Sequence, residues 1–156
     1  MGDSRSIVPK SAGEHQGAPL PSNEDSRLEF VRGLNILDTV AEEAFDVITL
    51  RLTDIFNVPI ALVSIVEESR QWFKSVVGLR VTETARSLSF CAHLLLPDDP
   101  EILLVPNATQ DPRFCNNSLV TGDPFIRFYC GAPIVIGEHR LGSVCIIDRV
   151  HRYNIS

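Results

Sequence analysis

VPIALVSIV, residues 58–66, is the stretch on which the fold turns. It is aliphatic except at Pro59 and Ser64. Val58, Ile60, Val63, Ile65 and Val66 branch at Cβ, which favours extended backbone. Apolar residues occupy both parities of the run. A strand over 60–66 is therefore buried on both faces and belongs inside a sheet, not at its edge. The run is far too short to span a bilayer. Pro59 disfavours helix at Val58, so a helix arriving from upstream must stop near Asn57.

That upstream helix is predicted over 40–57. Phe45, Ile48, Leu52 and Ile55 form its apolar stripe, and Thr39 with Glu42 makes a capping box at its start. An earlier helix over 27–37 carries Leu28, Val31 and Leu34, with Ser26 and Glu29 as its own capping box. Before it, 11 of the first 26 residues are Pro, Gly or Ser. This composition predicts a disordered tail over 1–26. Downstream of Val66, Glu67-Glu68-Ser69-Arg70 reads as a polar turn. Gln71–Val77 reads as a second strand closed by Gly78. A short helix is expected over 87–96, ended by Pro97, and a short strand over 102–105. Residues 107–124 are dense in Asn, Asp, Pro and Gly and predict a long loop with one helical turn. Loops of that length inside a compact domain usually carry function. Strands over 125–136 and 141–147 form a hairpin about the turn at Gly137-Glu138-His139-Arg140. Strands 60–66 and 141–147, apolar on both faces, should be central. The order predicts an α+β fold: a largely antiparallel sheet with helices on one face, and a short helix plus long loop on the other. A pocket between sheet and loop is the natural site.

The 156-residue chain carries a formal net charge of −6 and gathers no basic cluster, so no nucleic-acid partner is expected. It shows no signal peptide and no membrane span, which predicts a cytoplasmic protein with no membrane partner. The cysteines at 91, 115, 130 and 145 form no CxxC pair; they are expected as thiols and bind no metal. Met1-Gly2 with Ser6 matches the bare N-myristoylation pattern, with the acidic Asp3 beside the acceptor. GxSxG, Walker A, HExxH and GxGxxG are all missing.

From Arg32 to Arg149 the text resembles the GAF domains of signalling proteins, especially those coupled to histidine kinase or GGDEF/EAL output modules. The resemblance rests on ILDT at 36–39 with Glu43 and Phe45, VPIALVSIV at 58–66, RQWFKS at 70–75 with Gly78-Leu79, and ET at 83–84. SFCAH at 89–93, DPRF at 111–114, LVTGDPFIRFYCGAPIVI at 119–136 and LGSVCIID at 141–148 continue it. It implies a GAF/PAS-like antiparallel sheet of five or six strands with a helical layer behind it, and places the domain at 27–150. Members of the family continue past the ID segment into a closing helix. Here 151–156 is expected to be a short tail, and the chain reads as a fragment or a lone domain. An apolar groove along the first two helices would then lie open and favour self-association.

The resemblance implies a non-catalytic sensory domain that binds a small ligand and addresses an output module or a partner chain. The candidate ligand-binding residues are Phe90, Cys91, His93, Asp111, Arg113, Phe125, Arg127 and Tyr129. Arg113 and Arg127 present planar forks for a carboxylate or phosphate; the competing reading is an internal pair with Asp111 or Asp123. Cys91 and His93 diverge on a helix, and Cys91 reads more readily as core than as a ligand contact. No resident cofactor is expected. Two other readings stand beside the sensor. Cys91 and Cys115 lie roughly where two cysteines fall in the free methionine-(R)-sulfoxide reductases, a GAF subfamily. The domain could also be a pure interaction module, dimerising through its N-terminal helices.

Overall fold

The computed structural model describes residues 15–154. The chain runs through α1 (Glu24–Gly33), α2 (Glu43–Phe56), β1 (Ile60–Val66), β2 (Arg70–Val77), β3 (Glu83–Ala85), β4 (Leu103–Val105), α3 (Ser118–Thr121), β5 (Phe128–Ile136) and β6 (His139–Asp148). One six-stranded antiparallel sheet results, in the order β3-β2-β1-β6-β5-β4. β1 and β6 lie side by side at its centre, as their two-sided apolar composition requires.

Alternation along β1 separates two cores. Ile60, Leu62 and Val66 join the large cluster under the long loop, while Ala61 and Ile65 face the helices. α1 lies against β6, and α2 against β1 and β2. β2 bulges where Val63 pairs with Ser75 and Ser64 with Phe73, leaving Lys74 without a partner on β1. The extra residue turns two polar side chains toward α2. Ser75 Oγ donates to Asp46 at 2.6 Å and meets Thr49 Oγ1 at 2.8 Å. Lys74 reaches Thr39 Oγ1, the Val40 carbonyl and Glu42. Gly78 ends β2 at φ +89, where a Cβ would collide with the Pro59 carbonyl.

Neither capping box forms. α1 starts at Glu24, and Ser26 Oγ turns back to donate to the Asn23 carbonyl. Thr39 Oγ1 donates to the Ile36 carbonyl and accepts from Lys74, so tertiary partners take the oxygen a cap would need. α2 stops as expected, with Asn57 left-handed before Pro59. Its stripe is only partly covered: Ile48 and Ile55 are exposed and Leu52 is half-buried. The helix expected over 87–96 is instead two single turns, Arg86–Leu88 and Cys91–Leu94. Ser89, extended between them, accepts from Ala92 N at 3.1 Å and so offers the backbone an alternative to helix. The strand expected from 125 begins at Phe128, because Phe125 has φ +61. Of the tail expected over 1–26, residues 1–14, with Gly2, lie outside the described residues, as do 155–156. Residues 15–23 lie against the body: His15 Nε2 is 2.7 Å from the Ser87 carbonyl, Ala18 packs on the main core and Pro21 is buried.

Candidate functional site

The long loop is built by its own polar residues. Asn107 accepts from Thr109 N, Asp111 from Arg113 N, and Asn117 from Leu119 N at 2.8 Å. The Asn117 amide also donates to the Leu88 carbonyl at 3.0 Å, tying the loop to the preceding cover segment. These are local side-chain turns of the kind Asn and Asp favour. Phe114 is driven inward from this frame and stacks on Phe90, centroids 4.0 Å apart and nearly coplanar.

Between this cover and the sheet lies a cavity of about 400 Å³. Leu62, Phe73 and Ile147 form its floor, Phe90 and Tyr129 one wall, and Leu88, Leu119 and Ile126 its roof. Gln71 enters from β2, and Arg80, Asp123 and Arg149 stand at the mouth. The volume lies in the range of small-molecule sites, and the pattern of apolar walls with few polar groups is typical of them.

The two arginines of the cavity and the exposed Arg51 of α2 are the ones left over among the described residues. Arg27, Arg32, Arg70, Arg86, Arg113, Arg127, Arg140 and Arg152 all hold carboxylates or carbonyls. Arg80 and Arg149 have no side-chain partner among the described residues, and neither has Asp123. Asp148, next to Arg149, is taken by Arg152 at 2.7 Å.

The eight candidates from sequence are dispersed. Phe90 and Tyr129 line the cavity. Gly131 makes room for Tyr129, since a Cβ there would strike the phenol ring. Cys91 is fully buried behind the wall, with Ser64 Oγ at 3.4 Å and Ser89 Oγ at 3.2 Å. Burial pushes its thiol pKa up, against the hydroxyls that favour the thiolate. Cys145 behaves alike, and the buried Tyr129 phenol is also raised; its oxygen lies 3.3 Å from Ser143 Oγ. His93 sits edge-on to Phe114 with Nε2 buried and unpartnered. Burial, then the nearby Arg113 and His15, bring it down to about 4, with Asp111 opposing. Asp111 and Arg113 form a two-point ion pair on the loop surface and do not line the cavity. Burial alone would raise Asp111, but the Arg113 hydrogen bonds hold it below the usual carboxylate range. Arg127 donates to the Val120 and Ile126 carbonyls, and Phe125 lies half-exposed beneath it, its centroid 6.0 Å away. Neither faces the cavity. Gln71, Arg80 and Arg149 were not singled out by sequence, and no local pattern marks them: they become neighbours only when β2 and the end of β6 are folded.

The chain matches the family model described as GAF domain over residues 41–154. It is 44% identical over 135 residues to a cyclic di-GMP phosphodiesterase of Pseudomonas aeruginosa, covering 86% of this chain and 23% of that protein. The chain thus spans about a quarter of this relative's length. Its structure is similar to the GAF domain of an Acinetobacter phosphoenolpyruvate-protein phosphotransferase, with TM-score 0.54 and 16% identity over 85% of this chain and 81% of the other. It is also similar to a type II free methionine-R-sulfoxide reductase from Thermoplasma acidophilum, with TM-score 0.53 and 13% identity over 79% and 77% of the two chains. At such identities the two structures speak for the fold. With that fold, the family match over most of its length and a close relative among signalling enzymes, the chain belongs to the GAF domain family as a regulatory sensory domain.

Proposed function

We propose that this GAF domain binds a small anionic or polar ligand in the cavity without turning it over, and passes its occupancy through the helical layer to an output module or partner chain. The observation that carries this is the 400 Å³ apolar cavity with Arg80 and Arg149 unpaired at its mouth. A ligand there touches Gln71 and Phe73 on β2, and the bulge of the same strand holds Lys74 and Ser75 against α2. Floor and helix layer are thus joined through one strand. That is the route by which differential binding could shift the helices. Cytoplasmic residence is part of this reading: all four cysteines are free, and among the described residues no helix is long and apolar enough to cross a membrane.

A non-catalytic role agrees with the thiol chemistry. A nucleophilic cysteine needs a lowered pKa and access; Cys91 has neither. The test is a thermal-shift screen over nucleotides, amino acids and organic acids. A saturable shift that disappears in Leu88→Trp, which fills the cavity from its roof, is the expected result. The enzymatic alternatives are assayed on the same chain. Hydrolysis of cyclic di-GMP, or reduction of free methionine sulfoxide lost in Cys115→Ser, would overturn the non-catalytic reading.

A further inference from the structure

Three consecutive residues of the cavity's cover are each tied to a different part of the chain. Arg86 pairs with Glu24 in the first turn of α1. The Ser87 carbonyl accepts from His15 Nε2 at 2.7 Å. The Leu88 carbonyl accepts from the Asn117 amide, and the Leu88 side chain roofs the cavity. Residues 15–22 thus cross over a segment whose inner side faces the cavity. Gly17 shows how close the crossing is: a Cβ there would stand 3.2 Å from both the Cα and the carbonyl oxygen of Ser87. Ala18 packs on the main core. Pro21 is buried where the crossing joins α1, and its carbonyl accepts from Glu24 N at 3.1 Å.

The crossing is held at few points. Gln16, Gly17, Pro19 and Leu20 are exposed, so it buries little apolar surface. A crevice of about 380 Å³ lies between it and the β1–β2 turn, lined by Leu20, Glu68, Ser69 and Arg86. Among the described residues, three buried side-chain atoms without a hydrogen-bond partner sit on the crossing, at its junction with α1, or on the cover: His15 Nδ1, Asn23 Oδ1 and His93 Nε2. Because His15 Nε2 donates to Ser87, Nδ1 is the acceptor of the ring, and it receives nothing. Such atoms regain water when a segment lifts, which offsets part of what its contacts contribute. Few buried contacts and orphaned polar atoms place residues 15–22 at the low end of local stability, so they open before the sheet does.

We infer that residues 15–22 are a strap that holds the cover down on the cavity, and that its release from Ser87 lets the cover lift and the cavity exchange its contents. α1 is the hinge of the strap. Glu24 grips Arg86 beside the strap's contact, so the start of α1 follows the position of the cover. The strap governs access and not the choice of ligand, and its action is read on the ligand-free chain. The reporter is Cys91, fully buried under the cover against Ser64 and reached by solvent only when the cover lifts. The whole chain is treated with iodoacetamide in three forms: native, His15→Ala and Gly17→Val. Peptide mass spectrometry follows alkylation of Cys91, and hydrogen exchange of β1 reports opening of the sheet itself. Gly17 is exposed, so its substitution removes no core contact and only drives the strap from Ser87. Both variants should alkylate Cys91 roughly tenfold faster or more, with β1 exchange unchanged. The two substitutions act at different strap contacts, so a misfolded one leaves the other to decide. Cys91 rates equal to the native rate would overturn the strap. So would a rise in Cys91 alkylation matched by an equal rise in β1 exchange, the mark of a segment that only stabilises the fold as a whole. The ligand-binding reading fails separately: an empty thermal-shift screen with fast Cys91 alkylation in the variants overturns ligand binding and supports the strap.

Discussion

Two arginines next to recognisable motif text, Arg113 and Arg127, are held by their own loop, while Arg80 and Arg149 are left free at the cavity mouth. The difference is tertiary. Asp111 lies two residues from Arg113 and closes a local fork, whereas Arg152 takes the Asp148 carboxylate away from Arg149. Arg149→Ala is expected to cost about 0.2–1 kcal/mol of ligand affinity, the worth of an ion pair at an exposed mouth where water screens it. Arg113→Ala should leave affinity unchanged, and titration calorimetry on the two variants checks both. His93 supplies a second residue-level expectation. Burial lowers it to about 4 from the ordinary 6.5, so the folded state resists its protonation while the unfolded chain accepts it. The stability this neutral ring contributes is fully present above about pH 6.5 and is lost as the pH falls toward 4. Urea midpoints at pH 7 and pH 5 should therefore differ more in the native chain than in His93→Gln. Phe90 and Tyr129 were legible because Phe90 sits in the SFCAH text of the cover segment and Tyr129 stands beside the small Gly131 and Ala132 on β5. Gln71 was not legible, since in Arg-Gln-Trp-Phe-Lys-Ser an amide looks like any other polar position of a half-polar strand.

At the level of elements, strands were read well and helix starts poorly. β1 and β6 betray their place because two-sided burial demands apolar residues at both parities; β5 is also apolar at both but loses burial toward its end at Ile136. A capping box, by contrast, is only one of several uses for a hydroxyl. Ser26 and Thr39 took other partners, and α1 begins two residues before Ser26. The bulge in β2 was invisible for a similar reason. Lys74 and Ser75 fall inside the strand expected over 71–77, where strict alternation would put them on opposite faces, yet both are buried toward α2. Ser75→Ala would strip Asp46 of a 2.6 Å donor and take from Thr49 one of its two partners, leaving the Asp46 carbonyl. A loss of about 1–3 kcal/mol in unfolding free energy is expected. Chemical denaturation measures it. α2 also shows Val47, Ile48 and Ile55 on its outer side, beside the half-buried Leu52. Apolar residues grouped in this way favour association. Light scattering across a concentration series should show self-association that Ile48→Glu with Ile55→Glu reduces. A monomer at all concentrations would dismiss it.

At the scale of the whole molecule, one buried charge network holds α1 to the sheet. Arg27, wholly inaccessible, donates to the Val66 and Arg140 carbonyls and pairs with Glu24, which also takes Arg86. Burial alone would raise Glu24, but hydrogen bonds from Arg27 and Arg86 hold its carboxyl below the usual range. Its contribution to stability is thus present above the unfolded value and fades as pH falls through the lowered one. Glu24→Ala leaves two guanidiniums buried without their counter-ion. A loss of about 3–5 kcal/mol is expected, read as a lowered unfolding midpoint. Arg27→Lys in the otherwise native chain should also destabilise it, because an ammonium cannot span the Glu24 carboxylate and the Val66 and Arg140 carbonyls at once.

The pairing of β1 with β6 also has a consequence for how the chain is made. Ile60 finds its partner in Ile147 and Ile65 in Gly142, so the middle of the sheet is sewn together by the last in sequence of its six strands. Until that strand arrives, β1 offers one unsatisfied edge of apolar residues to whatever is nearby. Such non-local closure is slow, and an open strand of this kind is a template for aggregation. Nascent chains of this domain should therefore depend on holding chaperones through most of their synthesis. That dependence should end once β6 has been synthesised and can pair with β1.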